Sequence, residues 1–283
     1  MIAVTGATGN IGRALVHRLL AAGAPVRALT RDPQRAALPE GADVVRVPQT
    51  DPADPADPTG PASVFDGVTR VFLYAQAAHL LPAARAAGVR HVVLLSSSII
   101  HEGADDPTHP IHIMHARVEQ QLRDSGLDFT FLRPGAFATN ALQYAPQIRA
   151  GHTDIRGVYA DGLTAPIHED DIAAVAERAL LDTGHEGAVH RLTGPEAISN
   201  ADQITAIGQA TGRDLRFAEI PPREAGAELF PHVPPHMLDR LLRTFADTVG
   251  TPPEITPTVE KITGTPARTF TQWATDHTAD FRN

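Results

Sequence analysis

The sequence contains no cysteine. Disulfides, thiolate catalysis and cysteine-ligated zinc or iron–sulfur sites are therefore excluded. Lysine is almost as scarce: Lys261 stands alone among the 24 Lys and Arg residues. Nothing before it can act as a lysine base or Schiff-base amine. Tyrosine is confined to Tyr74, Tyr144 and Tyr159. No apolar run approaches the ~20 residues needed to cross a bilayer, and no basic patch precedes an apolar segment at the N-terminus, so neither a membrane span nor a signal peptide is expected. Positive charge is also in deficit. The net charge of −9 is the wrong sign for a nucleic-acid backbone as main partner. These absences suit a cytoplasmic setting and a small-molecule partner, with no nucleic acid and no membrane. What is present, 42% hydrophobic and 20% charged residues, is ordinary for a soluble globular chain.

The most informative stretch is Met1-Ile-Ala-Val-Thr-Gly-Ala-Thr-Gly-Asn-Ile-Gly12. Ile2 to Thr5 reads as a short buried strand, and an amphipathic helix follows from Ile11 to Ala22. Gly6, Gly9 and Gly12 fall between them in G-x-x-G-x-x-G spacing. Gly6 permits a tight turn, Gly9 lets backbone approach a pyrophosphate, and Gly12 lets the helix pack close to the strand. The free N–H groups and the dipole of the helix start favour phosphate there. Strand, glycine turn and helix in that order are the context in which such a motif binds a dinucleotide.

Further strands are expected at 25–30, 43–47, 71–74, 91–95 and 129–133, alternating with helices. The run Asp51-Pro-Ala-Asp-Pro-Ala-Asp-Pro58 reads as an exposed loop, since it can neither join a ladder nor bury anything. Alternation of this kind gives an α/β fold, a Rossmann-type doubly wound parallel sheet with helices on both faces. Its ligand crevice lies at the carboxyl ends of the strands. Those ends bring together the glycine turn, Thr30-Arg31, Tyr74-Ala75-Gln76, Ser96–Ser98 and Pro134–Phe137. The expected organisation is a dinucleotide-binding core over 1–135 and a smaller substrate-side lobe over 136–283, interleaved with it as a single compact unit. In the second part a helix is expected from Asp170 to Leu181. Another should be capped by Ser199 and stopped by Gly212, with a strand over Leu215 to Ile220. A proline-broken stretch runs from Pro221 to Pro235, and an amphipathic one from Met237 to Val249. Phe137, Tyr144 and Phe230 are available to line a pocket.

Thr5-Gly-Ala-Thr-Gly-Asn-Ile-Gly12, Arg31-Asp32, Ser125-Gly-Leu-Asp-Phe-Thr-Phe-Leu-Arg-Pro-Gly135, Asp170-Asp-Ile-Ala173 and Leu192-Thr-Gly-Pro195 resemble the NmrA-like branch of the atypical short-chain dehydrogenase/reductases. The resemblance covers most of the chain. It implies a Rossmann fold and dinucleotide binding at Gly6, Thr8, Gly9, Asn10, Ile11, Gly12, Arg31, Ala75, Ser96, Pro134 and Phe137. It also implies one of two roles: an NAD(P)H-dependent reductase of quinones and related compounds, or a redox sensor that binds the dinucleotide without turnover and reports to a protein partner.

Arg31 stands where a 2′-phosphate would lie, and its planar fork suits phosphate oxygens. NADP(H) is therefore expected over NAD(H), although Asp32 next to it would favour NAD if it faced the ribose. Most reductases of the superfamily use a Tyr-x-x-x-Lys pair. By resemblance those positions fall near Ile111 and His115, and neither residue type is there. His115 remains as a candidate proton donor, with Ser97 or Ser98 orienting a substrate oxygen. The expected catalytic pair is His115 and Ser98. The reaction expected is reduction of a small quinone- or carbonyl-type substrate. The alternatives are the non-catalytic sensor and a non-redox lyase, isomerase or cyclase using His115 as a base. His112, His115 and Glu119 could share one side of a helix as metal ligands, but no metal is expected. A triad of Ser96, His115 and Asp105 or Asp106 lacks a nucleophile turn and is set aside. His168-Glu-Asp-Asp171 reads as an acidic helix start, with His168 a weaker pocket candidate.

Overall fold

The computed structural model describes residues 1–47, 63–101, 109–230 and 233–282. The Asp/Pro run, Asp105 and Asp106 lie outside them. Contacts divide the chain into two compact units: Met1–Gly135, Glu169–Leu192 and Thr258–Thr265 form the first, and Ala136–His168, Thr193–Pro257 and Pro266–Asn283 the second.

In the first unit, in chain order, are β1 (Ile2–Thr5), α1 (Asn10–Ala21), β2 (Val26–Thr30), β3 (Asp43–Arg46), β4 (Arg70–Tyr74), α2 (Leu81–Ala86), β5 (His91–Leu95), α3 (Pro110–Ser125), β6 (Asp128–Pro134), α4 (Glu169–Leu181), β7 (Val189–Leu192) and α5 (Thr258–Thr263). The seven strands form one sheet in the order β3-β2-β1-β4-β5-β6-β7, and every pairing is parallel. The order reverses between β1 and β4, so the topological switch point lies at their carboxyl ends.

Buried parallel strands carry apolar side chains on both faces. Val71, Leu73, Val92, Leu94 and Phe131 join Leu81 and Ala84 of α2 and Val118 and Leu122 of α3 in one cluster. The alternate residues Val4, Phe72, Val93 and Leu132 are buried too. On α1, Leu15, Val16 and Leu19 recur at helical spacing and are buried, each contributing about 1.5–3 kcal/mol. α1 packs on α4, where Arg18 Nε lies 2.7 Å from Glu177 Oε2.

Of the helices expected between the strands, the one after residues 71–74 begins as a 3-10 helix, Ala75–Leu80, before α2; small residues and Pro82 allow the tighter turn to pass into an α-helix with proline in its first turn. β7 was not foreseen. It is a four-residue edge strand in which Val189 and Arg191 are exposed and only Leu192 is buried, too short to show a period.

The second unit pairs strands Asp154–Gly157 and Arg216–Glu219 in parallel and Leu163–Thr164 and Ile198–Ser199 in antiparallel. Its Asn200–Thr211 helix begins as expected: the Ser199 hydroxyl accepts from the Asp202 N–H at 3.0 Å, and Gly212 closes it at φ +70°, the left-handed stop that glycine favours. Trp273, Phe270, Phe281, Ile204 and Ile207 centre its core. The stretch after Pro221 is not simply broken. It forms a helix, Pro222–Glu228, because proline is tolerated in a first turn.

Candidate functional site

The glycine turn connects β1 to α1 at the switch point. Gly6 has φ +62°, a left-handed value, and its carbonyl accepts from the Gly9 N–H at 2.9 Å. A Cβ on Gly12 would lie 2.1 Å from that same carbonyl oxygen, so the close approach of α1 to β1 admits only glycine. The Tyr74 ring lies over Gly6, 3.2 Å from where a Cβ would be. The carboxyl end of β4, with buried Ala75, is thereby set beside the turn. Thr5 ties the same two strands: its hydroxyl donates to Phe72 O and accepts from the Tyr74 N–H, both at 3.0 Å.

Gly9 is the N-cap of α1; no side chain caps the helix and no acid lies in its first turn. The first N–H groups of a helix have no intrahelical partner. Those of Asn10, Ile11 and Gly12 begin this one, beside exposed Thr8, Gly9 and Asn10. Open backbone donors, a positive helix end and missing Cβ atoms together fit a pyrophosphate.

At the end of β2, Asp32 and Arg31 part company. The Asp32 carboxylate accepts from the Gln34 N–H at 3.2 Å and lies 3.7 Å from Arg35 Nε, capping its own 3-10 turn, Pro33–Arg35. Arg31 is exposed. Sequence reasoning passed over Arg13, whose guanidinium donates to the carbonyls of Thr8, Ala36 and Ala37. The only signal for it was its place immediately after Gly12.

Backbone bonds align the ends of β5, β6 and β7. Ser96 N–H donates to Leu132 O at 2.8 Å, Ser98 N–H to Pro134 O at 2.9 Å and Gly135 N–H to Leu192 O at 2.9 Å. Ser98 and Pro134 are thus brought together. Ser96 is buried and its hydroxyl donates to Glu119 Oε1 at 2.6 Å. Glu119 also accepts from Arg133 at 2.9 and 2.6 Å and from Arg123 at 3.0 Å. Burial opposes its charge, but the hydrogen bonds from Arg133 and Ser96 and the two arginine charges prevail and hold its pKa below the usual carboxylate value. Its carboxylate is therefore engaged by two arginines and the Ser96 hydroxyl.

α3 carries His112 and His115 and contains neither tyrosine nor lysine. His112 is buried. His115 lies one helical turn before Glu119. Its Nδ1 is buried with no hydrogen-bond partner among the described residues. Burial lowers the His115 pKa, opposed by the nearby Glu119 charge, which favours the neutral imidazole. A neutral ring can donate one N–H to a substrate oxygen and accept at the other nitrogen.

In the second unit, Phe137 bridges to Ile167. Tyr144 is core rather than pocket lining: it packs edge-on to Phe217 with centroids 6.4 Å apart, and burial pushes its pKa up to about 12. Phe230 packs with Phe245 in the small cluster around Val158 and Leu242. His168 is buried, 3.4 Å from Asp276 Oδ2. In the first unit, Glu169, Asp170 and Asp171 fill the first turn of α4, as an acidic helix start requires.

The model of the NmrA-like family matches residues 1–273. The chain is 37% identical over 289 residues, 99% of each chain, to the (4-alkanoyl-5-oxo-2,5-dihydrofuran-3-yl)methyl phosphate reductase of Streptomyces griseus. It is 34% identical over 300 residues, again 99% of each chain, to an NAD(P)H azoreductase of Xenophilus azovorans. Among solved structures, the NADPH-dependent quinone oxidoreductase of Escherichia coli in complex with NADPH superposes with a TM-score of 0.76 at 26% identity, covering 98% of this chain and 99% of that one.

Proposed function

The chain belongs to the NmrA-like family, and from that premise we propose that it is an NADPH-dependent reductase of a small conjugated acceptor of the quinone type. The observation that carries the proposal is the N-terminus of α1, open and free of acid at the switch point. The relatives that reduce with NAD(P)H support it.

In this reading Gly6–Gly12 and the first N–H groups of α1 hold the pyrophosphate. Arg31 pairs with the 2′-phosphate, while Asp32, occupied in its own turn, leaves that phosphate unopposed. Bound NADPH supplies the hydride. Ser98 and His115 direct hydrogen bonds at the acceptor oxygen.

Quinones, azo compounds and alkanoyl-dihydrofuranones, the substrates named for the relatives, are all conjugated acceptors, and each takes up hydride as a delocalised anion. The anion of a hydroquinone is a phenolate, with a pKa of about 10. An alkoxide derives from a far weaker acid, one closer to water itself. The conjugated acceptor thus needs far less help from a proton donor, which suits a helix holding a neutral histidine in place of Tyr and Lys.

The absent Tyr–Lys pair also favours a second reading, a sensor that binds NADPH without turnover. NADPH oxidation followed at 340 nm against a panel of quinones, azo dyes and simple ketones decides between them. Turnover with the conjugated compounds and little with the ketones supports the reductase. Tight binding with no oxidation of NADPH by any acceptor supports the sensor.

A further inference from the structure

Arg13 touches both loops that this reading assigns to phosphate. Its Nη2 lies 3.5 Å from the carbonyl oxygen of Thr8, in the glycine turn, and 3.1 Å from that of Ala36. Its Nη1 donates to Ala37 O. No carboxylate pairs with it among the described residues. Ala37 is held at φ +43°, a conformation that costs a non-glycine residue energy and persists only where neighbours enforce it.

The two loops belong to different βα units: Thr8 precedes α1, and Ala36 and Ala37 follow β2. The sheet fixes where the turn after β2 begins, with the Ala7 N–H donating to Leu29 O at 3.4 Å; the turn's own bonds, Asp32 to Gln34 and Arg35, are local, and Arg13 ties its later residues, Ala36 and Ala37, back to the glycine turn.

We propose that Arg13 is a positioning residue for cofactor selectivity, locking the turn after β2, and Arg31 with it, at a fixed span from the glycine turn. The inference rests on the NADPH reading above. Pyrophosphate is common to NADH and NADPH, so the glycine turn alone cannot tell them apart. Only the 2′-phosphate reads the second loop. A planar guanidinium with five donors in a fixed fork can hold carbonyls on two loops at once; a lysine ammonium on a flexible stem cannot hold the same span rigidly.

The test is fluorescence titration of the full-length protein with NADPH and NADH at one ionic strength, for wild type, Arg13→Met, Arg13→Lys and Arg31→Ala. Losing a hydrogen-bonded cation predicts that Arg13→Met weakens NADPH by about tenfold and NADH by less than about twofold. Arg13→Lys, which keeps the charge and loses the fork, should follow Arg13→Met. Equal weakening of both cofactors would make Arg13 a plain structural staple and overturn the inference. Wild-type selectivity in Arg13→Lys would overturn it too, because charge alone would then suffice. If Arg13→Met does not fold, Arg13→Lys carries the same comparison. A wild-type protein without NADPH preference overturns the cofactor reading itself. A preference that Arg31→Ala abolishes and both Arg13 variants keep overturns only the inference about Arg13.

Discussion

Glu119 and Arg133 face each other in a two-point pair, Nε to Oε1 at 2.9 Å and Nη2 to Oε2 at 2.6 Å, with the carboxylate side chain 1% exposed. The pair joins α3 to the end of β6, and Ser96 adds the end of β5. Glu119→Ala leaves an arginine charge buried without its partner, and the expected cost is about 3–5 kcal/mol of stability. Urea unfolding measures it. A loss under about 1 kcal/mol, the scale of a surface pair, would contradict the buried geometry.

The same carboxylate sets an acid limit. Its folded pKa lies below the ordinary value, so its contribution is fully present above the unfolded value of about 4.3 and is lost as pH falls through the folded one. Glu119→Gln, already weakened, should lose stability less steeply than wild type between about pH 5 and pH 3. Parallel curves would remove Glu119 from the acid limb.

Gly9 and Gly12 should respond differently to alanine. At Gly12 the new Cβ meets Gly6 O at 2.1 Å. Relieving that clash moves backbone, so Gly12→Ala should cost at least the ~1–3 kcal/mol typical of overpacking. At Gly9 the backbone is extended, with φ −76°, and the nearest atom is Gly6 O at 3.3 Å. Gly9→Ala should stay folded within about 1 kcal/mol of wild type yet lose NADPH affinity, because under the proposed binding its methyl would meet the pyrophosphate. Thermal melts with and without NADPH separate the two.

At the amino-terminal side of β7, His185 Nδ1 and His190 Nε2 lie 3.2 Å apart. Such a bond needs one nitrogen without a proton. Burial, then the His185 charge, lowers the His190 pKa. A histidine with a lowered folded pKa supports stability above its unfolded value, about 6.5, and loses that support as pH falls through the folded value. The melting temperature should therefore decline as pH drops below about 6.5, and His190→Asn should flatten the decline. An unchanged slope would mean that His190 does not contribute.

His115 gives a kinetic prediction. Removing a hydrogen bond made chiefly to the reacting oxygen should lower kcat by about tenfold or more in His115→Ala. NADPH affinity should stay nearly constant. Because burial lowers its pKa, kcat should be flat above about pH 7 and change only on the acid side. Unchanged turnover would exclude the residue from the reaction.

The glycine turn was legible because each glycine answers a local demand, a positive φ at Gly6 or a missing Cβ at Gly12, and local demands are written in spacing. The parallel sheet was legible because its strands are apolar runs separated by helices. The partners of Glu119 were not. Arg133 lies fourteen residues away on another element, and a glutamate on a helix reads as solvated until the fold brings the arginine in. Arg13 was passed over for a similar reason, since backbone carbonyls leave no mark in sequence. Tyr144 was offered as a pocket residue, but Phe217, which packs it into the core, comes from a distant strand. The division between Asp32 and Arg31 rests on the Asp32 carboxylate capping its own turn, which the dipeptide alone could not reveal.

Hydride transfer from NADPH to a conjugated acceptor is the proposed reaction. The most direct measurement is a single turnover of enzyme-bound NADPH with a quinone, using cofactor deuterated at C4. Oxidation of one equivalent of NADPH per site is expected, slowed by deuterium at the transferred position. Tight NADPH binding with no oxidation by any acceptor would contradict it and leave a sensor in its place.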